Sequence, residues 1–397
     1  GYRRLYESVR EHGDRDEWMK MAASVRDSIR QEPMIYMAAA FGSILVSMLN
    51  VSSFIVNLYG RTGRGKTVSL MLAASIWGNP SGHSYISESN STTNALVERQ
   101  GILNHLPLMI DDLSKVKGGE NDQKLVDLIY YLTANGGKDR LTRHSTPRDA
   151  ATWGNIVLTN MERPLTDNMM TGGAVARVLD FEVESGDIFT DPNSIVTTCS
   201  NNYGFAGREF VEIVKQVGRD EVKHMVAENE DFIRESAVAY LNAKKEAKQV
   251  TPLAILLTAD ELAGKYLFKD EHRLDPNYCI GHLKDVDEVD EMERAYDHFR
   301  DMVRINAGKF NLATAREGLS DIWGAFMIPP LTNYVAVIPF RFENMCKDLN
   351  VSPKQFAKWL NEKGYLKADA GRATTKVKFA NKRERFYVIK IDEEDDD

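Results

Sequence analysis

The sequence predicts an α/β fold in which a mostly parallel, five-stranded sheet lies between helices. Short apolar strands alternate with helices over residues 51–190, a glycine-rich loop joins the first strand to a helix, and polar residues end two later strands. Crossover helices between successive strands favour parallel pairing. The five predicted strands are residues 53–59, 83–87, 106–111, 155–159 and 176–183.

The rest of the chain is expected to flank this core. An N-terminal helical segment occupies residues 1–50, the core 51–190, a helical lid or linker domain 191–330, a winged-helix domain 331–391 and an acidic tail 392–397. The charged stretch 289–301 is expected to face solvent. In the winged-helix segment, Ser352 and Pro353 open a second helix, and two alternating strands at 374–379 and 385–391 follow.

Composition limits the class of protein. The 397 residues are 43% hydrophobic and 27% charged, which is typical of globular chains, and the net charge of −8 excludes a uniformly basic nucleic-acid binder. The three cysteines are far apart, so a reducing cytoplasm is expected. The apolar stretch 34–49 is shorter than the ~20 residues of a membrane span, so no membrane partner is expected. The chain begins at Gly1, and whether a further N-terminal domain precedes it is left open.

The strongest motif is GRTGRGKT at residues 60–67, which follows a strand and opens a helix. Its glycines let backbone N–H groups turn toward phosphate, and the helix N-terminus adds partial positive charge. Lys66 is predicted to reach the β- and γ-phosphates of ATP, and Thr67 to ligate Mg²⁺. The residues predicted to hold the nucleotide here are Gly60, Thr62, Gly63, Arg64, Gly65, Lys66, Thr67 and Val68.

Polar residues end two of the predicted strands. Asp111 and Asp112 follow an apolar strand, which predicts that Asp111 holds Mg²⁺ and that Asp112 orients or deprotonates the attacking water. Asn160 ends another apolar strand and is predicted to hold that water. The alternatives are an acidic pair that caps a helix and an asparagine that serves a turn.

Three arginines follow. Arg177, before the last strand, is a candidate arginine finger for a neighbouring subunit's site, with Arg163 as a weaker competitor and a salt bridge as the alternative. Arg208 begins a helix just after the core, where it is predicted to contact the nucleotide from the lid.

Two basic clusters are candidates for DNA contact. The segment 135–148 (NGGKDRLTRHSTPR) is predicted to track phosphates through Lys138, Arg140, Arg143 and His144, or to be a solvated loop. The second cluster lies on the predicted wing, where phosphate contact and protein docking both remain open. Its residues are Lys376, Lys378, Lys382, Arg383 and Arg385.

Taken together, these segments resemble the AAA+ helicases of phages and mobile genetic elements. That family includes helicases of staphylococcal cassette and pathogenicity islands and is related to minichromosome-maintenance and viral superfamily 3 helicases. The resemblance rests on GRTGRGKT with LAASIWGNP (72–80), LMIDDL (108–113), LTANGGKDR (132–140), WGNIVLTN (153–160) and NYGFAGREF (202–210).

The resemblance implies a homohexameric ring that hydrolyses ATP and translocates on single-stranded or forked DNA in phage or mobile-element replication. Primase, polymerase or initiator partners and a bacterial or phage-infected cytoplasm are implied as well. The Asp-Asp pair departs from the more usual Asp-Glu. Two alternatives remain: an ATP-switched origin-binding or helicase-loader protein, and a remodeller of proteins. The residues whose roles carry over are Lys66, Thr67, Asp111, Asp112, Asn160 and Arg177.

Overall fold

The structure is a computed structural model that divides into two compact units, Gly1–Val289 and Asp290–Asp397. This boundary precedes the one expected at residue 330, and the finer division proposed from the sequence stays a prediction. The ranges that the structure describes are 2–81, 84–87, 91–113, 122–136, 140–141, 147–148, 151–166, 172–241, 244–245, 247–285, 290–311, 321–349, 351–379 and 382–391.

Along the chain of the first unit, helices precede the strands, alternate with them and follow them. The strands are β1 (Phe54–Tyr59), β2 (Leu108–Ile110), β3 (Arg140–Leu141), β4 (Pro147–Arg148), β5 (Ile156–Met161) and β6 (Val178–Glu182). The helices are α1 (Arg3–Ser8), α2 (Arg15–Arg26), α3 (Gln31–Met48), α4 (Lys66–Ser75), α5 (Thr93–Leu103), α6 (Asp122–Leu132), α7 (Gly172–Val175), α8 (Pro192–Asn201), α9 (Phe205–Val217), α10 (Arg219–Leu241), α11 (Ala247–Leu262) and α12 (Pro276–Gly281).

The main sheet is parallel, with strand order β2-β5-β1-β6. All six residues of β5 are buried, as expected for a strand covered on both faces. A fifth strand is not confirmed: within the described part of segment 83–87, Ser87 alone bridges Ile110 in parallel, beside β2. The parallel α/β prediction is therefore confirmed in its coarse form.

The N-terminal helices belong to the same core as the sheet. Asp14 caps α2 by accepting hydrogen bonds from the N–H groups of Asp16 and Glu17. The buried Trp18 indole donates to Ser75 Oγ on α4 at 2.8 Å. Arg26, 1% exposed, donates to Asp260 of α11 at 2.6 Å. Residues 1–50 therefore do not fold apart from the core. No described helix is long and apolar enough to cross a membrane.

In its described residues, the second unit combines α-helices with an antiparallel sheet. Its helices are α13 (Glu291–Ile305), α14 (Pro339–Asp348) and α15 (Pro353–Glu362). Its strands are β7 (Gly324–Phe326), β8 (Tyr334–Val337), β9 (Leu366–Lys367), β10 (Thr375–Phe379) and β11 (Lys382–Lys390). The strand order is β10-β11-β8-β7, with β9 also paired to β11. The hairpin predicted near the end of the chain is thus present as β10 and β11.

Helix α13 corrects the expectation that residues 289–301 face solvent. Tyr296, Phe299 and Val303 are buried at helical spacing. The Phe299 ring packs against Phe342 of α14 and Phe356 of α15, at centroid distances of 6.5 and 6.2 Å. Charged residues cover the other faces of this helix, so its narrow apolar face is inconspicuous in the sequence.

Candidate nucleotide-binding site

The loop between β1 and α4 has the backbone of a phosphate-binding loop. Gly60, Gly63 and Gly65 have φ values of 146°, 82° and 102°, a region that side chains with a Cβ rarely occupy. A Cβ on Gly65 would also lie 3.2 Å from Ile188 Cβ. Glycine is therefore required where the loop turns into α4, whose first N–H groups have no partner within the helix.

Lys66 lies at the first position of α4 and folds back along the loop. Its Nζ donates to the carbonyl oxygens of Gly60 at 2.7 Å and Arg61 at 2.9 Å. The side chain is buried, and desolvation lowers the pKa of its ammonium group. The nearby carboxylates of Glu162, Asp112 and Asp111 oppose that lowering. The ammonium group therefore donates to neutral carbonyl oxygens of the loop, with carboxylates nearby.

The two predicted acids and the predicted amide meet at the carboxyl ends of β2 and β5. Asp111 Oδ1 accepts hydrogen bonds from Thr67 Oγ1 at 3.2 Å and from Asn160 Nδ2 at 2.9 Å. Asn160 Oδ1 accepts from the backbone N–H of Asp112 at 3.2 Å. Asp112 has φ of 60°, in the left-handed region that aspartate tolerates. One asparagine side chain thus bridges both acids.

These groups line a cavity of about 530 Å³, within the size range of ligand pockets. Its lining residues are Thr62, Gly63, Arg64, Gly65, Lys66, Thr67, Val68, Asp111, Asp112, Asn160, Met161, Glu162, Asp187, Phe189, Thr190 and Pro192. The glycine-rich loop, the Lys66 ammonium group and the Thr67 hydroxyl beside the Asp111 carboxylate suit a nucleoside triphosphate with Mg²⁺. Among the described residues, no group of three or more His, Cys, Asp or Glu side chains could hold a metal ion.

Two parts of the cavity lining were not predicted from the sequence. Glu162 follows β5, and its Oε1 accepts a hydrogen bond from Thr62 Oγ1. The segment after β6 covers the loop, because the Ile188 N–H donates to Arg64 O at 3.0 Å and Asp187 pairs with the Arg64 guanidinium at 3.2 Å. The signal for Glu162 was its place two residues after Asn160. We find no local signal for the segment after β6.

Arg177 lies at the opposite edge of the sheet from the phosphate loop. It precedes β6, whose Val178 pairs with Ile55 at the start of β1, whereas the loop follows the end of β1. Its guanidinium donates to Gly173 O and lies 5.0 Å from the Tyr130 ring centroid. Arg177 therefore does not reach its own subunit's cavity, and a finger role stays a prediction. The competing Arg163 is exposed just after β5.

Arg208 is placed on the first turn of α9, as the sequence predicts, but its guanidinium contacts the N-terminal segment. It donates to Gly204 O at 2.7 Å and to Val9 O at 3.2 Å, and it lies 3.8 Å from a Glu11 carboxylate oxygen. It is not among the residues that line the cavity. Its predicted contact with nucleotide stays a prediction.

The predicted DNA-binding segment is described in part. Arg140 begins β3, and β3 pairs antiparallel with β4. Gly136 and Thr152 form a further antiparallel bridge, so the described parts of the segment pair as the two strands of a hairpin. Lys138, Arg143 and His144 lie outside the described residues.

A second basic surface lies on the hairpin of β10 and β11. Lys376 pairs across the strands with Arg385, and Lys378 with Arg383. Lys376, Lys378 and Arg383 are exposed, whereas Arg385 is partly buried and lies 3.2 Å from an Asp369 oxygen. Like charges directly opposite each other destabilise a hairpin. This arrangement suits a polyanionic ligand.

Comparison with known proteins bears on the fold. Residues 3–152 match a family described as a domain of unknown function, DUF927, and residues 290–394 match one described as the Cch helix turn helix domain. A solved structure described as the SCCmec type IV Cch active helicase matches with a TM-score of 0.72 and 20% identity, covering 97% of this chain and 71% of that one. The resemblance to cassette helicases is therefore confirmed at the level of the fold.

Two weaker matches are RuvB mutants of Thermotoga maritima. Their TM-scores are 0.22 and 0.20, at 10% and 12% identity. They cover 85% and 87% of this chain and 89% and 92% of their own. Scores this low carry no argument about the fold. No curated protein matches this chain.

Proposed function

We propose that this chain is an ATP-driven DNA helicase of phage or mobile-element replication that acts in the cytoplasm as a hexameric ring on single-stranded DNA. The observation that carries the proposal is the Asp111 carboxylate, which is hydrogen-bonded to both Thr67 and Asn160 beside the phosphate loop. The fold shared with the Cch helicase and the match to the Cch helix turn helix domain support the DNA-directed output.

Each group in the cavity has a role in ATP hydrolysis under this proposal. Lys66 and the loop N–H groups bind the phosphates, while Thr67 and Asp111 hold Mg²⁺. Bound MgATP supplies a phosphorus centre open to attack by water. Asn160 orients that water, and Asp112 accepts its proton. The hydrogen bond from the Asp112 N–H to Asn160 keeps these two groups in register.

The position of Arg177 supports a site completed between subunits. β1 has six residues at about 3.3 Å each, so the two edges of the sheet are ~20 Å apart. An arginine at the far edge is out of reach of its own cavity but is available to a neighbour's. In a ring, Arg177 would stabilise the charge that develops on the neighbouring subunit's phosphates.

The two hairpins supply DNA contacts under the same proposal. Arg140 begins β3 of the first hairpin, and Lys138 precedes it in the sequence; under the proposal, both contact phosphates of the translocating strand. The second unit, with helices α14 and α15 and its basic hairpin, would act as a winged helix on duplex DNA near the fork.

Strand separation on a forked DNA tests the proposal. Wild type should unwind the fork with ATP, whereas Lys66→Ala should neither hydrolyse ATP nor unwind. The double variant Lys138→Ala with Arg140→Ala should hydrolyse ATP without unwinding. Circular dichroism and unfolding midpoints control for loss of fold in both variants.

The same assay separates the alternatives. ATP hydrolysis by wild type without strand separation would favour the origin-binding or loader function. Hydrolysis that DNA does not stimulate would favour a remodeller of proteins. A wild type that binds no ATP would refute the nucleotide site itself.

A further inference from the structure

Glu162 is an acid in the cavity that the proposed catalytic steps leave unused. It comes two residues after Asn160, lines the same cavity, and accepts a hydrogen bond from the Thr62 hydroxyl of the phosphate loop. An acid that reaches into an anion-binding loop opposes the loop's ligand, because like charges at short range repel. The position of this carboxylate beside a loop proposed to bind phosphate therefore has to be explained.

The turn that carries Glu162 is fixed on both sides. On one side, Asn160 is hydrogen-bonded to the Asp111 carboxylate and the Asp112 N–H. On the other side, the buried Asp180 carboxylate accepts hydrogen bonds from the N–H groups of Leu165 at 3.1 Å and Thr166 at 2.8 Å. Glu162 thus projects from a short, anchored segment.

The buried ammonium group of Lys66 explains the position of this carboxylate. The ammonium group donates to two neutral carbonyl oxygens of the loop. A buried cation is costly unless anions lie close to it. Glu162 lines the same cavity as Lys66, and its carboxylate is hydrogen-bonded to Thr62 of the loop around that ammonium group.

We propose that Glu162 is the counter-ion of the phosphate loop when no nucleotide is bound, and that the phosphates of the incoming nucleotide displace its carboxylate from Thr62. This inference rests on the proposed binding of ATP. Phosphate brings negative charge to Lys66, so the carboxylate is no longer needed there and is repelled. Glu162 then lowers the affinity for ATP while it stabilises the nucleotide-free loop.

Calorimetric titration with MgATP and with inorganic pyrophosphate tests this. Glu162→Gln keeps a hydrogen-bond acceptor for Thr62 but removes the charge. It should bind both ligands about three- to tenfold more tightly than wild type, the size expected for removing one like charge from a solvent-open site. The gain should shrink when salt is raised from about 0.05 M to about 0.5 M.

The matched control is Glu182→Gln. Glu182 ends β6 at the same edge of the sheet and also accepts a hydroxyl hydrogen bond, from Tyr59 at 3.4 Å, but it is not part of the cavity lining. This variant should change affinity less than about twofold. Without nucleotide, Glu162→Gln should unfold at a lower temperature than wild type, and ATP should raise its midpoint more.

The sign of the change decides the outcome. Weaker or unchanged binding of MgATP by Glu162→Gln would mean that Glu162 is a structural support or a ligand of the nucleotide, and would overturn the counter-ion role while leaving the proposed nucleotide site intact. Equal gains in Glu162→Gln and Glu182→Gln would reduce the effect to overall charge and overturn it too. A wild type that binds neither ligand would overturn the inference and the proposed function together.

Discussion

Replacing Asp180 tests how the turn behind the nucleotide site is held. This side chain on β6 is 6% exposed. Its Oδ1 accepts from Asn57 Nδ2 at 2.6 Å and from the Leu165 N–H at 3.1 Å, and its Oδ2 accepts from the N–H and hydroxyl of Thr166 at 2.8 and 2.6 Å. Burial raises the pKa of Asp180, whereas these four hydrogen bonds lower it.

The variant Asp180→Asn keeps the shape of the side chain and changes its hydrogen bonding. Whichever way the new amide turns, its NH₂ group faces one backbone N–H and one side-chain donor. The Thr166 hydroxyl and the Asn57 amide can rotate to accept, but a backbone N–H cannot. One buried N–H left unpaired costs about 1–3 kcal/mol.

Loss of the buried charge offsets part of this cost. We therefore expect a net loss of about 2 kcal/mol in the free energy of unfolding. On the scale of domains of 150–250 residues, that is a midpoint about 4–8 °C lower.

Thermal and urea unfolding of the intact protein measure the effect. The control is Asp231→Asn, which removes an exposed acid that lies 3.3 Å from Arg234 and should cost less than about 0.5 kcal/mol. Equal midpoints for Asp180→Asn and wild type would refute the reasoning, because the turn would then be held without these hydrogen bonds.

Further outcomes follow from other contacts. Asn160→Ala should lower kcat for ATP about 100-fold, judged from other preorganised donors, while steady-state and calorimetric assays show ATP binding within about threefold. Gly207→Ala should cost about 1–3 kcal/mol in urea unfolding, because the new Cβ would lie 2.5 Å from the Trp77 ring; full stability would show that the ring yields freely. Lys376→Ala with Lys378→Ala should weaken DNA binding and reduce the slope of log affinity against log salt by about 2 in anisotropy titrations, whereas an unchanged slope would assign this hairpin to a protein partner.

The phosphate loop could be predicted from the sequence because its requirements are local. Each glycine is needed for a backbone angle within the motif itself, and Lys66 follows by position. The meeting of Asp111 with Asn160 could also be predicted, since each ends a strand and parallel strands end at one edge of a sheet. This prediction needs only parallel pairing and does not need the strand order.

The remaining contacts depend on how distant segments pack. The position of Glu162 two residues after Asn160 places it near the cavity, but its pairing with Thr62 depends on how two side chains meet across the loop. Arg208 shows the same limit: its position on the first turn of α9 was predicted, but its guanidinium contacts Val9 and Glu11 of the N-terminal segment. The helical spacing of Tyr296, Phe299 and Val303 could have predicted the burial of Phe299. The charged residues around them favoured an exposed helix instead.

Strand β5 runs from the segment of β3 and β4 at its amino end to the nucleotide cavity at its carboxyl end. Its carboxyl end carries Asn160 at the nucleotide cavity, and the hairpin of β3 and β4 closes just before its amino end. There the Asn155 N–H donates to Ser53 Oγ, and the Ile156 N–H donates to Ser43 Oγ, each at 3.1 Å. Under the proposed function, this buried strand is the element that would carry a shift of Asn160 from the nucleotide cavity to these contacts near residue 155.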